Sequence, residues 1–306
     1  MSPVNIGNFF VKRTVNILLL GFIWILAAGK ISAQQYNIKT LTTKDGLANS
    51  IVKNIFQDSQ GYLWMATQGG ISRYDGKKFT NYSSENGLPG SDITSIGEDH
   101  NGNIWIATYG SGIVKYDGVK FTTYTKKDGI GSDFVYAVYK DSKHGLWFST
   151  FGGGLTLFTG TTFKKFTTEQ GLNTNDIISV TEDKKGYIWV GTRRGGLSSF
   201  DGTKFKRIDY SPLNEISVIS LFTDSKDNIW IGSARGGVHV FDGEKFSEIY
   251  IPEIKNDLIT SITQDKRGNI WIASEHGLVK YTNGKYTIFS TDQGISSNLV
   301  NCPKKD

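Results

Sequence analysis

Four histidines, one cysteine and a handful of aromatic and cationic residues are what this sequence offers for chemistry. Cys302 can form no internal disulfide, and no Cys/His spacing matches a zinc site, so neither a metal nor any other cofactor is expected. His100 and His144 stand in short D-x-x-G-like turns and His239 lies within a strand pattern. Only His276, beside Glu275, stands in a loop where a general base could meet a substrate. Equivalent loops carry Tyr109 and Phe151, whose ring faces can stack on a sugar. They also carry Arg193, Arg194 and Arg235, whose planar donor forks suit carboxylate or sulfate. The plainer reading of each is a solvated loop residue. A Glu-His pair alone establishes no catalytic site, so these residue types point to binding rather than turnover.

One carboxylate recurs, as Asp58, Asp99, Asp141, Asp183, Asp224 and Asp265. Calcium or catalysis comes to mind, but a reaction needs its group once. An aspartate opening a tight turn accepts hydrogen bonds from the backbone N–H groups that follow it, and six copies fit that structural role.

The elements that position these residues are legible from a repeat. Trp64, Trp105, Trp147, Trp189, Trp230 and Trp271 are spaced 41, 42, 42, 41 and 41 residues apart. The first unit reads as four short strands, "SIVKNIFQD" (50–58), "YLWMAT" (62–67), "GISRYD" (70–75) and "KKFTNY" (77–82), each rich in β-branched and aromatic types. Asp75-Gly76 returns as Asp117-Gly118, Asp201-Gly202 and Asp242-Gly243, the chemistry of a two-residue hairpin turn. Six residues before each recurrent aspartate stand Val52, Ile93, Val135, Ile177, Val218 and Ile259. Three residues before it stand Ile55, Ile96, Val138, Val180, Leu221 and Ile262. Aliphatic residues in both registers fit strands that pack between neighbours. The prediction is all-β: a β-propeller of six four-stranded blades plus a stub of a seventh. The tryptophans are expected as buried wedges between blades. The loops from second to third strand vary most, at Gln68, Tyr109, Phe151, Arg193-Arg194, Ala234-Arg235 and Glu275-His276, and share one predicted face.

Lys12 and Arg13 precede an apolar run from Val15 to Ala28, with Ala33 at a plausible cleavage point. This predicts a signal peptide over 1–33 and a periplasmic or otherwise exported product, an uncleaved anchor being the alternative. The full chain has a net charge of +5. Removing Lys12, Arg13 and Lys30 leaves 31 basic and 29 acidic residues, and no basic run suggests a nucleic-acid groove.

"NGNIWIATYGSGIVKYDGVKFTTYTKKDGI" (101–130) and "KGYIWVGTRRGGLSSFDGTKFKRI" (185–208) resemble two-component regulator propeller repeats. The resemblance covers about residues 36–301. It implies a periplasmic sensor region, placed before a membrane span and a histidine kinase, in a family associated with sensing carbohydrate fragments. At the C-terminal end, "GISSNLVNCPKKD" (294–306) aligns on "GLANSIVKNIFQD" (46–58), with Val300 in the first aliphatic position and Pro303 in the second. At the N-terminal end, "YNIKTLTTKDGL" (36–47) matches an outer strand, with Ile38 and Leu41 at the Phe79 and Tyr82 positions. The domain is therefore expected over 36–306, incomplete at its C-terminus, as a truncated sensor or a fragment of a longer one. The expected function is a non-catalytic sensor of an oligosaccharide, bound through Tyr109, Phe151, Arg193, Arg194, Arg235 and His276. A streptogramin-lyase-like enzyme and a protein-docking module are the alternatives.

Overall fold

A computed structural model describes residues 40–297 and Val300. The signal-peptide reading, Ile38, Cys302 and Pro303 fall outside the described residues. With strands numbered in chain order, four to a blade, blade 1 comprises β1 (Val52–Gln57), β2 (Leu63–Thr67), β3 (Gly70–Tyr74) and β4 (Phe79–Tyr82). Six such antiparallel sheets follow one another, each pairing its strands in sequence order, through blade 6 with its inner strand β21 (Ile259–Gln264). The six inner strands line one central channel of about 490 Å³, to which Asn54, Ser95, Val138, Thr181, Thr223 and Thr263 each contribute one blade's wall.

Each blade is closed at one end by the recurrent aspartate. Asp224 Oδ1 accepts the backbone N–H groups of Lys226 and Asn228 at 2.8 and 2.9 Å, as the turn chemistry predicts. Its other oxygen accepts the indole N–H of Trp230 at 2.9 Å. The same indole bond joins Asp58–Trp64, Asp99–Trp105, Asp141–Trp147, Asp183–Trp189 and Asp265–Trp271, at 2.7 to 3.0 Å. A buried tryptophan needs an acceptor for its N–H, and the turn aspartate supplies it.

Five of the six rings then wedge against the next blade. Trp64 packs with Ile93 and Ile96, Trp105 with Val135, Trp147 with Ile177 and Val180, Trp189 with Val218, and Trp230 with Ile259 and Ile262. Five clusters thus fill the five junctions from blade 1 to blade 6. Among the described residues no cluster joins blade 6 to blade 1, and Val52 and Trp271 are only half-buried where their equivalents are buried. Val300 lies along blade 6 like the start of a further inner strand. Its N–H donates to the Ser274 carbonyl at 3.2 Å, and its carbonyl accepts the Thr260 hydroxyl. Val135 accepts the Thr94 hydroxyl in the same way at 2.7 Å.

Candidate functional site

The face carrying the predicted loops is built by one local device used six times. The hydroxyl that ends each second strand (Thr67, Thr108, Thr150, Thr192, Ser233 or Ser274) is buried and donates to the carbonyl of the glycine that opens the third. That glycine cannot be another residue. At Gly154, φ is 77° and an added Cβ would stand 2.0 Å from the Phe166 carbonyl oxygen. The loop is also tied from both sides. Tyr109 N–H donates to the Asp92 carbonyl and Gly110 N–H to the Asp133 carbonyl of the next blade, at 2.9 and 3.0 Å. Phe151, Arg193 and Ala234 repeat the first contact, onto Phe134, Asp176 and Ser217. Side chains on these loops therefore project from a fixed backbone.

The predicted residues fall into two groups. Tyr109 and Phe151 join a strip of rings across blades 2 and 3, running from Phe134 through Tyr109 and Tyr136 to Phe151. Neighbouring centroids are 5.0, 6.0 and 6.4 Å apart. The Arg193 guanidinium caps the strip, 5.6 Å from the Phe151 ring centre. Phe134 is 42% and Tyr109 44% exposed, so the strip presents ring surface to solvent. Burial, and then the neighbouring Tyr109 phenol, pushes the Tyr136 phenol above its ordinary value, with the Arg193 charge opposing. Tyr136 is therefore a neutral hydrogen-bonding group at any physiological pH.

Phe134 and Tyr136 are absent from the sequence-predicted set. Each inner strand carries a register shift at its second residue, and in β9 (Val135–Lys140) that residue is Tyr136. A bulge re-aims its side chain, here among the loop aromatics. The signal was available: the bulge position reads Lys53, Thr94, Tyr136, Ile178, Ile219 and Thr260, and Tyr136 is the sole aromatic among these six.

The second group lies on blades 5 and 6. His276 Nδ1 stands 2.8 and 2.9 Å from the two carboxylate oxygens of Asp257, which is 5% exposed. The imidazole side chain is itself 69% exposed, so Asp257 orients a ring that stays open to solvent. The Arg235 backbone N–H donates to the Asp257 carbonyl at 3.0 Å, bringing Arg235 to the same pair. Arg194, exposed, donates its backbone N–H to the Ser217 hydroxyl at 3.2 Å and stands between the two groups in chain order. His239, by contrast, is buried and structural. It contacts the Tyr210 hydroxyl and the Gly236 carbonyl, and burial lowers its affinity for a proton. Among the described residues no cluster of His, Cys, Asp or Glu could hold a metal ion, and no helix is long and apolar enough to cross a membrane.

A family model, two component regulator propeller, matches residues 46–69, 87–110, 129–152, 171–194 and 253–276. Each match runs from the end of one blade's outer loop into the second-to-third loop of the next. Histidine kinase P4 of Formosa agariphila is 36% identical over 80 residues, 26% of this chain and 5% of the kinase. The extracellular domain of BT3049, assigned as a hybrid two component system of B. thetaiotaomicron, superposes with a TM-score of 0.74. It is 24% identical, with 85% of this chain and 38% of that one covered. Virginiamycin B lyase from Staphylococcus aureus, solved as a catalytically inactive histidine-to-alanine variant with quinupristin, gives 0.72 at 14% identity. That match covers 88% of this chain and 92% of the lyase. At these identities the solved structures establish a shared fold. The chain spans well under half the length of the sensor relatives it matches.

Proposed function

Because the chain belongs to the two component regulator propeller family, we propose that it is an exported, non-catalytic sensor propeller that binds an oligosaccharide on its loop face. The observation that carries this reading is the ring strip Phe134–Tyr109–Tyr136–Phe151 capped by Arg193, an exposed stacking surface on a tied backbone. A sugar ring offers C–H faces to aromatics and hydroxyls to Tyr109 and Tyr136. Arg193, Arg194 and Arg235 add donors for an acidic substituent. A near-neutral mature chain gives no long-range field favouring a polyanion, which argues against nucleic acid. The sensor domains it resembles belong to hybrid two component systems, so the bound state would be read by a membrane-linked kinase rather than by chemistry on the ligand.

The test is a thermal-shift screen of neutral and acidic oligosaccharides. A hit should raise the unfolding temperature, be lost on Phe151→Ala or Tyr136→Ala, weaken on Arg194→Ala, and return the sugar chemically intact. A screen with no shift would defeat the carbohydrate reading and leave docking of a protein on the same face.

The His276–Asp257 pair favours a second reading, a lyase-like enzyme, because a buried carboxylate holding one imidazole nitrogen leaves the other free as a general base. That reading requires product formation that both His276→Ala and Asp257→Asn abolish with folding unchanged. Turnover that survives both substitutions would end it.

A further inference from the structure

Opposite the loop face, where the aspartate turns and the Asp-Gly hairpins lie, three blade junctions have a groove beneath their Asp–Trp pairs. The groove between blades 1 and 2 holds about 220 Å³ and that between blades 5 and 6 about 250 Å³. The groove between blades 3 and 4 holds about 440 Å³, within the range of small-ligand sites.

The sequence accounts for the difference. The residue two before each tryptophan is Tyr62, Asn103, Gly145, Tyr187, Asn228 or Asn269. Tyr62 and Asn228 line the two smaller grooves, and Asn103, Asn228 and Asn269 each donate to their aspartate at 2.7 to 2.8 Å. Gly145 puts no side chain there. Its φ lies outside the left-handed region, so the backbone does not call for glycine. Above the tryptophans of blades 1, 2 and 6 a cation, Arg73, Lys115 or Lys280, covers the ring. Trp147 instead pairs across its sheet with Leu157.

The preceding position departs too. Gly61, Gly102, Gly186 and Gly268 take positive φ at this turn, whereas blade 5 has Asp227 at 73° and blade 3 has His144 at 70°. A non-glycine residue there costs backbone energy; Asp227 accepts the Lys184 N–H at 2.8 Å, whereas among the described residues the His144 side chain has no hydrogen bond, which makes His144 the candidate for function. Its ring faces that of His100 from blade 2, with centroids 5.4 Å apart. Both imidazoles and Lys143 line the mouth, and among the described residues none of the three side chains has a hydrogen bond or ion pair. The carboxylates nearby are already engaged. Asp141 accepts from Lys143 N, Gly145 N and Trp147 Nε1, and Glu182 accepts from the Ser142 N–H and hydroxyl. Beneath lie the apolar walls of Trp147, Leu157, Ile188 and Phe200.

We propose that this groove is a second ligand site, taking a small aromatic carboxylate whose ring enters between Trp147, Leu157 and Phe200 while its anion meets His100, His144 and Lys143. The walls offer hydroxyls little beyond Thr159, which disfavours a sugar. The site is separate from the loop face and does not depend on what that face binds.

The probes are benzoate, phenylacetate and glucuronate, titrated against the full chain by ligand-observed NMR and calorimetry. Either aromatic acid should bind saturably, with glucuronate silent. Gly145→Asn restores the residue of blades 2, 5 and 6, and should abolish binding in a chain that still folds, with a lowered unfolding temperature. A Cβ there meets Asp141 Oδ2 at 2.6 Å and Leu157 Cδ1 at 2.9 Å, both side-chain atoms. Should that variant fail to fold, His144→Gly, which restores the usual turn glycine, should weaken binding about tenfold, the worth of one hydrogen bond to a charged group. No saturable binding of either aromatic acid, unchanged affinity in Gly145→Asn or His144→Gly, or binding of glucuronate alone would each overturn the assignment.

Discussion

Replacing Asp224 by asparagine isolates the bond that fastens each wedge tryptophan to its turn. In the wild type one carboxylate oxygen serves two backbone N–H groups, and the other serves the Trp230 indole and the Asn228 amide. An asparagine has one oxygen, so whichever way its amide turns, two donors face an N–H. Those of the turn can hydrate, because Lys226 is exposed and Asn228 half-buried. The amide oxygen should therefore turn outward only at the expense of Trp230, which is 6% exposed. A bond to a charged acceptor contributes about 1.5–3 kcal/mol, and a stranded buried donor costs about 1–3 kcal/mol. Asp224→Asn should thus cost about 2–3 kcal/mol, or roughly 4–10 °C in unfolding temperature for a chain of this size.

Urea denaturation at pH 7 of wild type, Asp224→Asn, Trp230→Phe and the double variant measures it. Phenylalanine keeps most of the apolar wedge and removes the N–H, so asparagine should cost less in that background. The coupling should be about 1–2 kcal/mol. Additive single effects, or an Asp224→Asn midpoint within about 0.5 kcal/mol of wild type at equal slope, would refute the pairing as a source of stability.

Three further outcomes follow from the same structure. Burial works to raise Asp99, Asp224 and Asp265, but their indole, amide and backbone donors outweigh it and hold all three below 3.8. Asp201, gripped by the Thr203 hydroxyl and by the Lys204 and Thr203 N–H groups, falls to about 2. Depressed carboxyls lend stability that is complete above the unfolded value and lost as pH falls through the folded one. Urea midpoints should therefore hold from pH 7 to 5 and drop between 3.8 and 2, and a flat profile to pH 2.5 would contradict this. Amides of β1 should exchange faster than those of the other inner strands, because Val52 is half-buried where its five equivalents are fully buried; equal protection would refute this. Trp147→Ala should cost about 3–5 kcal/mol and the exposed Arg193→Ala under about 1 kcal/mol, and equal urea midpoints would contradict the faces assigned to them.

The blades were legible because each is the same solution to the same packing problem, stated six times. Trp147 and Ile177 announce a junction through spacing alone, before any contact is known. Other features escaped for identifiable reasons. The indole–aspartate bond links residues six apart across a hairpin, where the turn reading of Asp58 or Asp224 already sufficed to explain the carboxylate. Tyr136 sits in a strand whose alternation predicts a side chain directed elsewhere, and only the bulge brings it to Tyr109 and Phe151. Asp257 lies in "IPEIKND", the connection that departs furthest from the repeat, 19 residues from the histidine it orients. Of the predicted face, Tyr109, Phe151 and Arg193 converge, while His276 and Arg235 form their own pair with Asp257.

Departures from the repeat can themselves be weighed, because the sister blades serve as controls. At the second residue of the loop after the second strand, blades 2 and 3 have Gly110 and Gly152, with φ of 112° and 73°. Blades 4 and 5 hold the same left-handed backbone with Arg194 and Arg235, at 57° and 67°. An L-residue with a Cβ gives up about 1–2 kcal/mol there relative to its preferred region, partly offset by the larger freedom that glycine has when unfolded. Neither guanidinium makes a hydrogen bond or ion pair among the described residues that would repay this in the fold. Arg194→Gly and Arg235→Gly should therefore each stabilise the protein, by about 0.5–1 kcal/mol in urea titrations, while removing a donor from the loop face. If either glycine variant instead loses stability, the arginine is held by the scaffold and its claim to face a ligand fails. A gain in stability together with a loss of the oligosaccharide-induced thermal shift would place the cost of these two residues in binding.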